Sequence, residues 1–336
     1  HMISAPALRE TLSDHLSRMP DMERALARIT VRRGTPRDLG MMRDALNEIF
    51  NMRRAMQEAD DNALSDLMER LALSPAIMGL QDRLNELLIP EGLPTLARDG
   101  GFIREGASTQ LDEYRSLKKD GRDRIAALER AYAEETDINT LKIKHNNVLG
   151  YFIEVSSKHG DRLLGWGAPQ GANDQPASLR THFAHRQTLA SAIRFTTTAL
   201  SELESGIAQS VERSQAIEQE LFDQMVTQVI ENAAALSPLA EAASELDLAT
   251  AQASLAQDRQ YTRPQIFEDT RLQITGGRHP VVEASLPQGE FIANDARMDE
   301  GTALWLITGP NMAGKSTFLR QNALIALLAQ MGSFVP

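Results

Sequence analysis

Two stretches of this chain repeat apolar residues at helical spacing for longer than an ordinary globular helix. The first runs from Ser108 to about Glu135, with Leu111, Tyr114, Leu117, Ile125, Leu128 and Tyr132 on one side. The second runs from Thr188 to about Asn232, with Ile193, Leu200, Leu203, Ile207, Ile217, Leu221 and Met225 recurring mostly at three, four or seven. At 1.5 Å per residue the second pattern predicts a helix roughly 65–70 Å long, well beyond the usual three or four turns. Charged positions on the first are dense and mixed in sign, Lys118, Lys119, Asp120, Arg122, Asp123 and Arg124 among them, which suits a rod standing in water. Two such rods with a short segment between them predict a pair of arms carrying what that segment forms.

The segment between them changes period. Leu141-Lys142-Ile143-Lys144 alternates, His145-Asn146-Asn147 is turn chemistry, and Val148 to Val155 alternates again around Gly150. Both lysines then share one face of the strand, and Leu141 and Ile143 the other. Gly165 to Ser178, rich in Gly, Pro, Asn and Gln, reads as a loop. Net charge is −11, yet residues 141–190 hold six basic and three acidic side chains, so this segment is +3 and the remainder −14. An acidic body with one basic module points to a phosphate-bearing partner. Lys142, Lys144, His145, Asn146, Asn147 and Lys158 are the candidate contacts, suited to a sequence-independent grip on a nucleic-acid backbone. Each of Lys142 and Lys144 that meets a phosphate adds about 0.9 to the salt slope of binding. On pattern alone, a small sheet whose lysines only keep it soluble fits equally well.

Near the C-terminus stands Gly309-Pro310-Asn311-Met312-Ala313-Gly314-Lys315-Ser316-Thr317, a phosphate-binding loop. The run Ala303-Leu304-Trp305-Leu306-Ile307 predicts a strand before it, and Thr317 to about Met331 a helix after it. The two glycines let backbone N–H groups turn toward phosphate oxygens, Lys315 reaches the β- and γ-phosphates, and Ser316 is placed to ligate Mg²⁺. Phe291 and Asn294 lie just ahead, where an aromatic ring stacks on a base or simply joins the core. Glu300 is the last acidic residue, so no later residue of this chain provides the carboxylate that holds Mg²⁺ in P-loop hydrolases. The 336-residue chain is therefore expected to be catalytically inactive and to bind nucleotide weakly or not at all. His279, beside Pro280, has no partner at metal spacing and reads as structural.

Residues 3–107 read as helices. Thr35-Pro36-Arg37-Asp38 supplies a cap, a proline at the first helical position and an acid in the first turn, followed by Leu39, Met42, Leu46 and Ile49 at helical spacing. A further helix is expected from about Leu239, after Pro238, to Gln257. With no cysteine, thiol catalysis and disulfides are excluded. The longest apolar run, Ala323 to Ala329, is too short for a membrane span, and a cytoplasmic protein is the default expectation. His1 before Met2, and an end just past a helix, read as the two cut ends of a longer protein.

These motifs together resemble the MutS family of bacterial DNA mismatch-recognition ATPases over nearly the whole chain. The resemblance rests on Gly309 to Thr317, with Ala313 in place of one family glycine, and on Gly332-Ser333-Phe334-Val335-Pro336. It rests also on Gly277-Arg278-His279-Pro280-Val281-Val282-Glu283, Phe291-Ile292-Ala293-Asn294, the 141–153 hairpin pattern and His185-Arg186-Gln187-Thr188-Leu189. It implies a mainly α fold in five parts. These are a helical core (3–107), an outgoing lever helix (108–140), a β-rich DNA clamp (141–187), a returning lever with a connecting helix (188–258), and the truncated start of an ABC-type α/β ATPase domain (259–336). It further implies ATP or ADP with Mg²⁺ as cofactors, with Phe291 and Asn294 near the adenine. The implied partners are double-stranded DNA, a MutL-type repair factor and a second copy in a homodimer, with no membrane, in a nucleoid-associated cytoplasmic setting. The whole protein would use ATP to switch from mismatch search to a sliding clamp. Alternatives are a catalytically inactive DNA-binding scaffold, and a MutS-related or arm-bearing ABC ATPase not dedicated to mismatch repair.

Overall fold

The computed structural model describes residues 2–59, 64–146, 148–164, 182–287, 289–298, 304–310 and 313–336. Five helices come first: α1 (Pro6–Arg18), α2 (Met22–Thr30), α3 (Pro36–Glu58), α4 (Ser65–Arg70) and α5 (Pro75–Leu87). The long helix α6 (Thr109–Thr136) leads to strands β1 (Lys142–Asn146) and β2 (Gly150–Ser156), helix α7 (Ser157–Leu163), and strands β3 (Ala184–Thr188) and β4 (Ala192–Thr196). Helices α8 (Thr198–Glu231) and α9 (Ala233–Asp258) follow, then β5 (Leu272–Gly277), α10 (Pro280–Ala284), β6 (Asn294–Met298) and α11 (Lys315–Gln330). The protein is mainly helical with two small antiparallel sheets. Its residues group into two compact units, one of 1–27, 41–81 and 231–336, the other of 28–40 and 82–230.

In the second unit, the start of α3 is built as its sequence dictates. Thr35 Oγ1 accepts the Asp38 N–H at 3.3 Å, while the Asp38 carboxylate accepts from the Thr35 N–H at 2.8 Å and its hydroxyl at 2.7 Å. That reciprocal box satisfies two N–H groups that helix geometry leaves orphaned. Leu39, Met42, Leu46 and Ile49, predicted to share a face, are all fully buried.

Helix α6 begins at Ser108, whose hydroxyl accepts the Leu111 N–H, and ends at Asp137, which takes the left-handed conformation with φ 52°. Its 28 residues make a rod of about 42 Å. The returning helix differs from expectation. The pattern predicts helix from Thr188, but Ala192–Thr196 is a strand and α8 starts only at Thr198. Ile193 and Phe195 alternate onto the core face of a sheet, and pairing with β2 and β3 prevails over the helical spacing of Ile193 and Leu200. The 34 residues of α8 span about 51 Å. The two long helices meet where Gly121 of α6 faces Ile207 of α8, so closely that an added Cβ would fall 2.5 Å from Ile207 Cγ1.

The four strands form one antiparallel sheet ordered β1-β2-β4-β3. Its inner face sits on the adjoining ends of the two long helices. Ile125 and Tyr132 of α6, Leu200 of α8, and Leu141, Ile153, Val155, Leu163, Phe183, Ile193 and Phe195 make one buried cluster. The Tyr132 hydroxyl shares a 2.7 Å hydrogen bond with Thr197, which keeps its polar end satisfied inside that cluster.

In the other unit, α9 begins at Ala233 and runs through Pro238, where the sequence predicts a start after the proline. Pro238 lies in the second turn, so the helix gives up one backbone bond there and keeps its buried face of Leu236, Leu239, Ala243 and Leu246. Strands β5 and β6 pair in a two-stranded sheet that packs on α11 through Ile274, Ala296 and Ile325. Gly332, at φ 82°, closes α11: its N–H bonds Ala329 O, and the Ser333 N–H bonds Leu328 O. The chain then pairs Val335 with Thr262. Among the described residues, no helix is long and apolar enough to cross a membrane.

Candidate nucleic-acid interface and phosphate loop

The β1–β2 hairpin is held by its own turn chemistry. The Asn146 side-chain oxygen accepts the N–H groups of Val148 at 2.9 Å and Leu149 at 2.7 Å, replacing backbone partners the turn cannot offer. Gly150 starts β2 at φ 69°. Asn147 lies outside the described residues, as does the 165–178 loop. In register, Lys142 faces Glu154 and Lys144 faces Phe152, so the lysines stand on the face opposite the buried cluster, as the alternation predicts.

That face carries more charge pairing than the sequence suggests. Lys142 Nζ donates to Glu129 of α6 at 2.8 Å, and Glu129 also accepts the Ile143 N–H at 2.8 Å. Lys144 Nζ donates to Glu154 of β2 at 2.6 Å, and Arg194 of β4 donates to the other oxygen of Glu154 at 3.0 Å. Arg194 also lies 4.3 Å over the Phe152 ring and donates to Gln187 at 2.9 Å. Glu154 is held below the usual carboxylate range by the Lys144 hydrogen bond, opposed by burial, with Arg194 adding to the lowering. At Glu129 burial pushes upward and is outweighed by the bonds from Lys142 and Ile143 and by the Lys142 charge, so its carboxyl also titrates low. The His145 ring leans on Tyr151, 4.8 Å between centroids. By contrast Lys158, on α7, and Arg186, at the irregularity in β3, are exposed, and among the described residues neither has an ion-pair partner. Arg194 and Arg186 are the cations sequence reasoning did not single out. Strand alternation around Ile193-Arg194-Phe195 was the available signal for the first.

The phosphate loop heads α11. Gly309 (φ 150°) and Gly314 (φ 83°) both take conformations that favour glycine, and Gly314 caps the helix, its carbonyl accepting the Phe318 N–H at 2.9 Å. Lys315 Nζ donates to the carbonyls of Gly309 and, at 3.0 Å, Pro310, so its ammonium sits over the loop. Ser316 is exposed in the first turn beside the half-buried Thr317. Asn294 Nδ2 donates to Ile292 O at 3.0 Å and to Gln321 of α11 at 3.5 Å, which brings the Phe291–Asn294 segment alongside the loop's helix. Asn311 and Met312 lie outside the described residues; Ala313 is exposed. The expected strand before the loop is not formed. Residues 304–310 have no strand pairing, and Leu304 and Leu306 are 82% and 87% exposed. A parallel strand is stable only between covered neighbours, and none flanks this run among the described residues. Trp305 is the exception, its ring near-parallel (3°) to Phe318 at 6.4 Å. His279 caps α10, its Nδ1 accepting the Val282 N–H at 3.3 Å, the structural role expected of it. The N-terminus of a 16-residue helix, a lysine and an exposed serine lie next to one another at the glycine-rich loop, the kinds of group that a phosphate site uses. No group of three potential metal ligands occurs among the described residues.

The pattern of MutS family domain IV matches residues 106–213, and that of MutS domain V matches 305–336. The DNA mismatch repair protein MutS of Dinoroseobacter shibae is 46% identical over 342 residues, covering 100% of this chain. The chain belongs to the MutS family. Two further MutS proteins, from Ruegeria sp. strain TM1040 and Azorhizobium caulinodans, are 46% and 44% identical, again over 100% of this chain. The chain spans about 37% of the length of the first of these relatives, and 37% and 35% of the others. Within the family's domain IV lie α6, the four-stranded sheet and the first half of α8, so the sheet and both its supporting helices belong to one MutS domain. The domain V match opens at Trp305, the residue stacked on Phe318 beside the phosphate loop.

Proposed function

We propose that this chain is the duplex-gripping and nucleotide-loop part of a DNA mismatch repair protein. The sheet holds DNA by its phosphates, without reading sequence, and the two long helices carry it. One observation carries this reading: the module seated on the ends of α6 and α8 carries Lys158 on α7 and Arg186 on β3, which have no ion-pair partner among the described residues, and Lys142, Lys144 and Arg194 on the outer face of its sheet. Lysine and arginine as point charges on a sheet surface position a backbone and carry no base information. His145 and Asn146 at the hairpin end are proposed to add polar contacts, as is Asn147, which lies outside the described residues.

Gly309 to Thr317 is proposed to hold the phosphates of ATP or ADP, with Lys315 exchanging its loop carbonyls for the β- and γ-phosphates. Bound Mg²⁺ would supply charge neutralisation at the phosphates, and Ser316 is the side chain proposed to hold it. Phe291 and Asn294 are proposed to meet the base; the hydrogen bond from Asn294 to Gln321 of α11 supports this reading. In the whole protein, nucleotide binding and hydrolysis would switch a mismatch-searching homodimer to a sliding clamp that engages a MutL-type factor, in the nucleoid. This chain alone is proposed to act as a DNA-binding scaffold without turnover, since its residues after Glu300 include no carboxylate. Calorimetric titration of ADP and ATP, with Lys315→Ala as control, tests the nucleotide half. Weak binding abolished by the substitution is expected; Mg²⁺-dependent turnover by the 336-residue chain would contradict the scaffold reading.

A further inference from the structure

The outer face of the sheet places its cations in the grip of its own carboxylates. Lys142 is bonded to Glu129, and Glu154 is shared between Lys144 and Arg194. Neither carboxylate is an exposed surface group: their side chains are 24% and 17% exposed, while the lysines they hold are 59% and 54% exposed. Each is fixed by more than its lysine. Glu129 also accepts the Ile143 N–H, and Glu154 the Arg194 guanidinium, which is itself fixed over Phe152 and by Gln187. The anions are therefore fixed in place, Glu154 within the sheet and Glu129 on α6 beside it, and the ammonium groups are the movable partners.

We propose that Glu129 and Glu154 are affinity-limiting residues: built-in counter-anions that hold the sheet's cations partly neutralised and keep its grip on DNA weak. The inference rests on the DNA-binding reading of the sheet given above. Its physics is the counting of ions. A free lysine that meets a phosphate releases one condensed cation, which makes binding salt-sensitive by about 0.9 in slope. A lysine taken from Glu129 leaves that carboxylate uncompensated in the strong negative field of the duplex, so a cation must be taken up there. Release and uptake nearly cancel. Lys142 thus adds little net affinity, the Lys144–Glu154–Arg194 triad, with two cations to one carboxylate, adds only the equivalent of one cation, and Lys158 and Arg186 supply most of the rest. A grip limited in this way holds a duplex without pinning it, which is what a protein that moves along DNA requires.

Glu154→Gln and Glu129→Gln test this. Glutamine keeps an acceptor oxygen at nearly the same place and removes the charge. Fluorescence anisotropy of the 336-residue chain with a labelled, fully matched duplex reads affinity across a salt series. Each substitution is expected to raise affinity roughly tenfold at about 50 mM salt and about 2.5-fold at about 200 mM, and to steepen the salt slope by about one unit. In the Glu129→Gln background, Lys142→Ala should now weaken binding, whereas in the native chain it should change affinity less than twofold. Folded glutamine variants that bind no more tightly than the native chain, with an unchanged slope, would overturn the inference while leaving the DNA-binding reading intact. Should neither native chain nor variants bind duplex at the lowest salt, the DNA-binding reading itself fails, and this inference with it. If Glu154→Gln loosens the sheet, seen as a lowered melting temperature, Glu129→Gln carries the test, because Glu129 lies on α6 outside the strand ladder.

Discussion

Glu204 of α8 stands directly over Gly150 at the start of β2. Its Oε1 accepts the Tyr151 N–H at 3.1 Å, and a Cβ added to Gly150 would fall 1.6 Å from the same oxygen. The contact fixes the hairpin end of the sheet to the helix that returns from it. It also gives Gly150 two reasons to be glycine, its φ of 69° and this approach.

Gly150→Ala is therefore expected to destabilise the sheet-bearing unit by about 2–4 kcal/mol. Left-handed strain accounts for about 1–2 of these and the displaced carboxylate bond for the rest. In a Glu204→Ala background the same change should cost only the strain, a coupling that a double-mutant cycle reads. Faster hydrogen exchange of the Tyr151 amide in both single variants is the local signature. Additive effects in the cycle would show that Glu204 and Gly150 do not act through one contact.

A buried carboxylate also joins α8 to the chain before α6. Glu218, 4% exposed, accepts from Arg115 at 2.7 Å and from the Gly101 N–H at 2.6 Å. Removing it leaves the Gly101 N–H and part of a guanidinium without a partner. Glu218→Ala is expected to lower stability by about 2–3 kcal/mol, discounted for the part of Arg115 that water reaches. Glu218→Gln, which keeps an acceptor, should lose less. Urea unfolding midpoints of the two variants give the comparison, and equal losses would place the cost in packing instead.

The depressed carboxyls on the sheet set an acid limb. Glu129 and Glu154 both titrate below their ordinary range when folded. A group whose folded value is lowered contributes stability above its unfolded value and loses it as pH falls through the folded one. Melting temperature should thus hold steady from neutral pH down to about 4.5 and drop below it, and the double variant Glu129→Gln, Glu154→Gln should drop less steeply. An acid limb unchanged in that variant would assign it to other carboxylates.

Much of the helical part was legible because its signals are local. The Thr35–Asp38 box, the face of Leu39, Met42, Leu46 and Ile49, and the span of α6 follow from residues within a turn or two of one another. The first hairpin was legible for the same reason: Asn146 makes its own turn. Ile193 fitted both a helix seven residues from Leu200 and a strand two from Phe195, and only the neighbouring strands decide between them. The run from Leu304 to Ile307 has strand composition, but composition alone does not supply the neighbours a strand needs. Lys142 and Lys144 were visible as cations on one face. Their partners Glu129 and Glu154 lie thirteen and ten positions away, and nothing in local spacing connects them. That is why the charge count of this module overstates its free positive charge.

The sheet-bearing module is proposed to grip duplex DNA by phosphate alone, chiefly through Lys158 and Arg186. Anisotropy titrations of the 336-residue chain on matched and G·T-mismatched duplexes, across a salt series, test it most directly. Equal affinity for both duplexes is expected. So is a slope that Lys158→Ala and Arg186→Ala each flatten by about 0.9, with Lys142→Ala flattening it far less. Severalfold preference for the mismatch, or binding that raised salt leaves unchanged, would contradict the account.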